Sequence, residues 1–491
     1  MKNCIAGLVI FIAGMGLGAQ ETPIALLEDS WMEPGRVTEM LALHDLQGGV
    51  YIPSIAGNAF RVLRAGAGER LGPYAPEGFD GVSPAARNLK AISDGSERYL
   101  AFIGRRDGVE SVCLFGFGFW DALSYYPLAE TEAEAIRDYD LVPTKGGGLT
   151  VYTLAGGRLR SFSTIKRGDT LWQEREISRP GEQAEAFGVL RERNQEISYG
   201  WYRIARKDYW EINLFSVNGA GNLVVEQTGS WSHAPRLEYG VSPEGKAVFT
   251  ITAGSAVSVF HAEGPRFVRD LIFNAPFAAK RYSPALLRGG SPGLLIGEAE
   301  GTDVLYGVSH ERSGAPALRE LFARPSAEIL ELFLTGNNRI SLIYRVDQIL
   351  GAALLHTDGG IIADRPLPVS SGGAALFRQP PEENRVYALS RASPAESFLL
   401  SMFEFEGETW RPAGETRVSR FFPEKAHSPL GIRDEELLLM SSPEALMLYE
   451  TETSKSQILE MENYALSNAL NGVVYLAVSS EKGISLYRIG E

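Results

Sequence analysis

Six histidines, His44, His233, His261, His310, His356 and His427, are the first residues to weigh for chemistry, and they are scattered along the chain. None forms an H-E-x-x-H or H-x-H pair, and no Cys or His spacing matches a zinc site. Each reads as a structural or surface histidine. The string G-x-S-x-G occurs once, at Gly289, Gly290, Ser291, Pro292 and Gly293. A nucleophile of that kind sits on a strand-to-helix turn and takes a backbone N–H from the next residue, but proline has none and strand-like Leu294 to Ile296 follow. The segment is therefore an inter-strand turn. The phosphate-cradling G-x-x-x-x-G-K-[ST] is absent, and Gly146, Gly147 and Gly148 read as a loop before a strand at Leu149. These patterns give no catalytic residue, no metal site and no cofactor.

Acidic pairs at Glu382 and Glu383 and at Glu435 and Glu436 lie in turn-like sequence, and spacing alone fixes no carboxylate separation. Phe403 to Trp410 comes nearest to a sialidase Asp box, S-x-D-x-G-x-T-W. Gly407, Thr409 and Trp410 match it, while Phe403 and Phe405 stand where Ser and Asp belong. Without its polar members the segment reads as a strand turn with a packed tryptophan. The most unusual surface candidate is the aromatic run Trp201, Tyr202, Lys207, Tyr209 and Trp210, accompanied by Tyr199, Arg206 and Asp208. A hairpin tip there would offer stacking rings to a peptide or glycan, and those first five are the expected binding residues. Phe115, Phe117, Phe119 and Trp120 read as core, and the adhesion-type tripeptide Arg167, Gly168, Asp169 as an ordinary turn.

The chain that must position these residues has 491 of them, 44% hydrophobic and 22% charged, enough apolar surface to offset the ordering entropy of a large core. Its net charge of −14 excludes a general nucleic-acid surface, which needs concentrated Lys and Arg. Two cysteines cannot staple a chain this long. Lys2, the apolar run Cys4 to Ala19 and the polar Gln20 and Glu21 read as a signal peptide over residues 1–20, so export to the periplasm or exterior is expected, with a domain over 21–491. An uncleaved N-terminal anchor is the competing reading. With cleavage near Gln20, Cys113 is the only mature cysteine, buried in the core.

Short apolar runs separated by Gly, Asp, Asn, Ser and Pro recur throughout, and few segments read as helix; Ala129 to Ile136 is the clearest. Comparable central strands are expected to start at Val50, Tyr99, Leu149, Glu196, Ala247, Gly293, Arg339, Arg385, Glu436 and Val473. The first eight steps between them are about 46 to 51 residues, in the range of a four-stranded propeller blade. Ser242, Pro243, Glu244, Gly245 and Lys246 resemble the inter-strand turn of TolB-type and WD40-like propeller repeats, with Glu244 in place of the usual Asp. The expected fold is all-β: one closed β-propeller of seven to ten four-stranded blades, the early stretch Ile24 to Leu27 completing the last. Two stacked sandwiches or two smaller propellers would need a linker, and none is visible.

From this fold the expected function is an exported, non-catalytic scaffold in the cell envelope that binds a protein or glycan partner, acts as a monomer and binds no nucleic acid. The alternative is a glycoside hydrolase or lyase with an active site assembled at the ring axis from several blades.

Overall fold

The computed structural model describes residues 25–490 except for connecting stretches, the longest being 128–134, 165–171, 284–292, 310–316 and 368–376. The described residues form strands and turns and no helix. Ten antiparallel sheets follow one another along the chain as blades 1 to 10, spanning 37–74, 87–127, 136–176, 184–231, 236–274, 278–323, 327–366, 377–419, 425–460 and 463–489. Blades 1 to 9 each have four strands in sequence order, with a short extra strand in blades 1 and 9, and blade 10 has three of its own. Tight turns join the strands. Between Ala56 and Ala59 the turn residues Gly57 and Asn58 have φ of 56° and 63°, and Gly156 and Gly157 repeat that with 55° and 77°. Positive φ at both central positions is the turn whose twist matches a hairpin, which is why glycine and asparagine occupy it.

The second strand of a blade is buried on both faces. All seven residues of Val50–Ala56 and of Ala247–Ala253 are buried. Alternation then sends neighbouring side chains to different blades: Leu100 and Phe102 pack toward Tyr51 and Phe60 of blade 1, whereas Ala101 and Ile103 pack toward Leu141 and Val151 of blade 3. Ten apolar clusters result, one at each junction of consecutive blades, and the tenth joins Ile52 and Leu63 of blade 1 to Ala477 and Ile484 of blade 10. The ring is therefore closed. Fourth strands are its exposed rim, as in Gln173–Glu176 and Arg266–Asn274, and first strands face inward.

Blade 10 is completed by the other end of the chain. Ala25–Trp31 pairs antiparallel with Gly483–Ile489, from Ala25 opposite Ile489 to Trp31 opposite Ile484. Gln457 of blade 9 exchanges hydrogen bonds with the Ala25 backbone at 2.8 and 3.2 Å. The Asp29 carboxylate accepts from the Leu71 N–H of blade 1 at 2.6 Å. One strand thus holds blades 9, 10 and 1 together.

The expected strand starts fall within two residues of second strands in all ten blades. Glu435 and Glu436, expected in a turn, open the strand Glu435–Ser441. Phe403 is buried in the junction of blades 7 and 8, and Cys113 and Phe115 in that of blades 1 and 2. Ile136 opens a strand and Ala135 precedes it without helical structure; residues 129–134 of the expected helix, Arg167 to Asp169, Gly289 to Pro292 and residues 1–20 lie outside the described residues.

Candidate functional site

Charged side chains near the inward first strands are the natural place to look for an axial site. Six first strands carry a β-bulge, between Val37 and Glu39, Arg87 and Lys90, Ile136 and Asp138, Ala184 and Ala186, Ala279 and Arg281, and Ile329 and Glu331. A bulge leaves backbone N–H groups without a ladder partner. Carboxylates of the preceding blade supply one. Glu39 accepts from the N–H groups of Asn88, at 2.7 Å, and Leu89. Glu110 accepts from Ile136 N–H at 2.9 Å while Arg87 grips both its oxygens at 3.0 and 2.9 Å. Asp303 accepts from Ile329 N–H at 2.9 Å and from Lys280 at 2.6 Å. Asp138 takes Asn88 Nδ2 at 3.1 Å and Lys90 Nζ at 2.9 Å.

The electrostatics follow from those partners. The Arg87 guanidinium holds the Glu110 carboxyl below its usual range. Burial, reinforced by Glu39, pushes the Tyr139 phenol well above its usual value, so its hydroxyl stays protonated, 2.6 Å from the Asn88 and Ala101 carbonyl oxygens, with its one proton for one of them at a time. These carboxylates are committed to holding one blade against the next. A carboxylate that accepts two or three such bonds is a poor proton shuttle.

The five expected binding residues do not form one surface. Tyr202 is fully buried at the junction of blades 3 and 4, its hydroxyl 2.8 Å from the Glu182 carboxylate. That removes it from any contact surface, because both faces of a second strand are covered in a ring. Trp201 points the other way and packs half-buried against Tyr239, ring centroids 6.3 Å apart. Trp210 is half-buried, while Lys207 and Tyr209 are exposed at the hairpin tip, where Arg206 N–H bonds the Tyr209 carbonyl at 2.8 Å.

An open groove lies instead at the seam between blades 9 and 10. It encloses about 790 Å³ and is walled by the edge strand Ser456–Glu460, the turn before Ala445, the link through Met461 and Glu462, the turn at Glu481 and Lys482, and Tyr487, with Arg36 at its rim. Leu459, Met461 and Val478 make a buried apolar floor, while Ile458, 46% exposed, stands on the opposite face of its strand, across from Met447. Four carboxylates, Glu444, Glu460, Glu462 and Glu481, face two cations, Arg36 and Lys482. Glu462 reaches Arg36 at 3.6 Å. The side chains of Glu444, Glu460, Glu481 and Lys482 make no ion pair or hydrogen bond among the described residues. No three His, Cys, Asp or Glu among those residues are grouped as a metal site. Sequence reading missed this groove, since Arg36 lies some 400 residues from its other walls and only ring closure brings them together.

No protein-family model matches the chain, and no curated protein is similar to it. Solved structures with a similar fold include a prolyl endopeptidase (12% identity over 74% of this chain and 54% of that one, TM-score 0.35). Dihydro-heme d1 dehydrogenase is another (12% identity, 79% and 75%, TM-score 0.39), and prolyl oligopeptidase B from Galerina marginata a third (11% identity, 75% and 56%, TM-score 0.36). The chain spans little more than half the length of the two peptidases. These likenesses concern the propeller fold. The expectation of a non-catalytic scaffold, which rested on fold alone, does not stand beside them, since each of the three is an enzyme by name.

Proposed function

We propose that the chain is a propeller-fold hydrolase, or the propeller part of one, that takes its substrate in the seam groove between blades 9 and 10 rather than at the ring axis. The observation that carries this reading is a contrast in how carboxylates are used. Glu39, Glu110, Asp138 and Asp303 are bound to backbone or cationic donors, whereas the side chains of Glu444, Glu460 and Glu481 have no such partner among the described residues and line a cavity with an apolar floor. Carboxylates open to solvent beside a bound substrate can take a proton from an attacking water and return one to a leaving group. The apolar floor supplies binding energy and limits water.

Residues 1–20 act in this proposal as a cleaved signal peptide, supported by Lys2 and the apolar run after it, so the enzyme works outside the cytoplasm. The experiment is to purify the full-length gene product from cells, sequence its N-terminus and assay fluorogenic glycosides and peptide pools. Turnover that falls by about 10²-fold or more in Glu444→Gln, Glu460→Gln or Glu481→Gln supports the reading. Absence of turnover, or turnover indifferent to all three, overturns it, and an N-terminus at Met1 overturns the cleavage.

A further inference from the structure

We infer that the occupant of the seam groove is an extended peptide segment in which Lys or Arg alternates with apolar residues. The inference rests on the groove being the substrate site and names the substrate class. Charge selects first: among the groove side chains, four carboxylates outnumber two cations, and the one ion pair, Arg36 with Glu462, is loose at 3.6 Å with Arg36 77% exposed. An anionic ligand would meet repulsion from three unpaired carboxylates, while a ligand with several cations gives each of them a partner. Apolar surface selects second. Leu459, Met461 and Val478 floor the cavity and Ile458 stands exposed beside it, so a purely polar cation leaves the floor wet.

Backbone selects third. Ser456–Glu460 is the last strand of its sheet, with a partner on one side only. Ile458, Leu459 and Glu460 of that strand line the groove, alternating exposed, buried and exposed. An edge strand offers unpaired N–H and C=O groups at a spacing that another extended chain matches. Leu459 lies opposite Leu446 on the face toward blade 10, whereas Glu460 lies opposite Ala445 on the face toward blade 8, so the alternating side chains of an added strand set apolar residues on the floor and cations beside Glu460. A glycan has no such backbone.

Fluorescence anisotropy on the full chain tests this with four probes: a labelled Lys-Leu alternating nonapeptide, its Glu-Leu counterpart, the Lys-Leu peptide with alternate amides N-methylated, and a chitosan oligomer. The expected result is saturable binding of the Lys-Leu peptide alone, weakened about tenfold or more in the triple variant E444Q/E460Q/E481Q and by Ile458→Ser, and weakened by added salt. A circular dichroism melt of each variant that matches the parent keeps a loss of binding from being a loss of fold. Equal binding of the Glu-Leu peptide, of the N-methylated peptide or of chitosan overturns the inference, as does binding that ignores the variants. Mass spectrometry of the bound peptide separates the two proposals. An intact bound peptide, with no turnover of the glycosides or peptide pools, leaves this inference standing and sinks the hydrolase reading, whereas charge-independent turnover of neutral substrates in the groove does the reverse.

Discussion

A single carboxylate can decide how firmly two blades meet. Glu110 is only 16% exposed and gathers Arg87 and the Ile136 N–H of the next blade, so an amide in its place leaves a half-buried guanidinium without its counter-ion and one acceptor too few for the donors. Glu110→Gln is expected to cost about 1–3 kcal/mol, read as a lower denaturation midpoint. The pH dependence follows from the lowered carboxyl. The unfolded chain binds the proton first as pH falls, so the stabilisation is full above the ordinary carboxylate range and is lost as pH drops through the lowered folded value. A melt series from pH 6 down to about pH 3 should show a shallower acid limb in Glu110→Gln than in the parent. Equal limbs would mean that the charge is not what Arg87 holds.

At the scale of the element, Ala25–Trp31 is the strand whose loss the ring can least absorb. Deleting residues 25–31 uncovers the Gly483–Ile489 edge and removes Ala25 from the core between blades 9 and 10. The expected outcome is a lower melting temperature and a concentration-dependent dimer in size-exclusion chromatography, since a free edge recruits a strand from a second molecule. A monomer with the parent melting temperature would show that the strand is dispensable. Strand positions such as Val50, Ala247 and Arg339 were legible in the sequence because apolar alternation and turn residues act over a few positions. Tyr202 was misread for a related reason. A strand rich in aromatics has the same sequence whether one face or both are covered, and here both are. The groove was illegible because nothing local distinguishes Glu444, Glu460 or Glu481 from any solvated glutamate until blades 9 and 10 stand side by side.

For the whole molecule, the ten junctions should fail together, and buried phenols supply a way to watch. Burial raises Tyr139, Tyr152, Tyr202, Tyr282 and Tyr344, on blades 3, 4, 6 and 7, above the ordinary tyrosine range. Their hydroxyls favour folding below about pH 10, where the unfolded chain also keeps its protons, and that advantage disappears as pH rises beyond it. Spectrophotometric titration at alkaline pH should show these phenols ionising in one steep step coincident with loss of strand circular dichroism. A gradual ionisation that precedes unfolding would mean that the blades open one at a time.

Because the sheet that shuts the circle joins the first and the last of the described strands, it cannot exist until residue 489 has been made. Of the described strands, Ala25–Trp31 is made first and must wait for its partner Gly483–Ile489, more than 450 residues later. Nine blades can assemble in order meanwhile, but the bracelet stays undone, and the groove beside its clasp is the final part to take shape. Whatever the groove holds, no nascent or truncated copy of the chain can hold it.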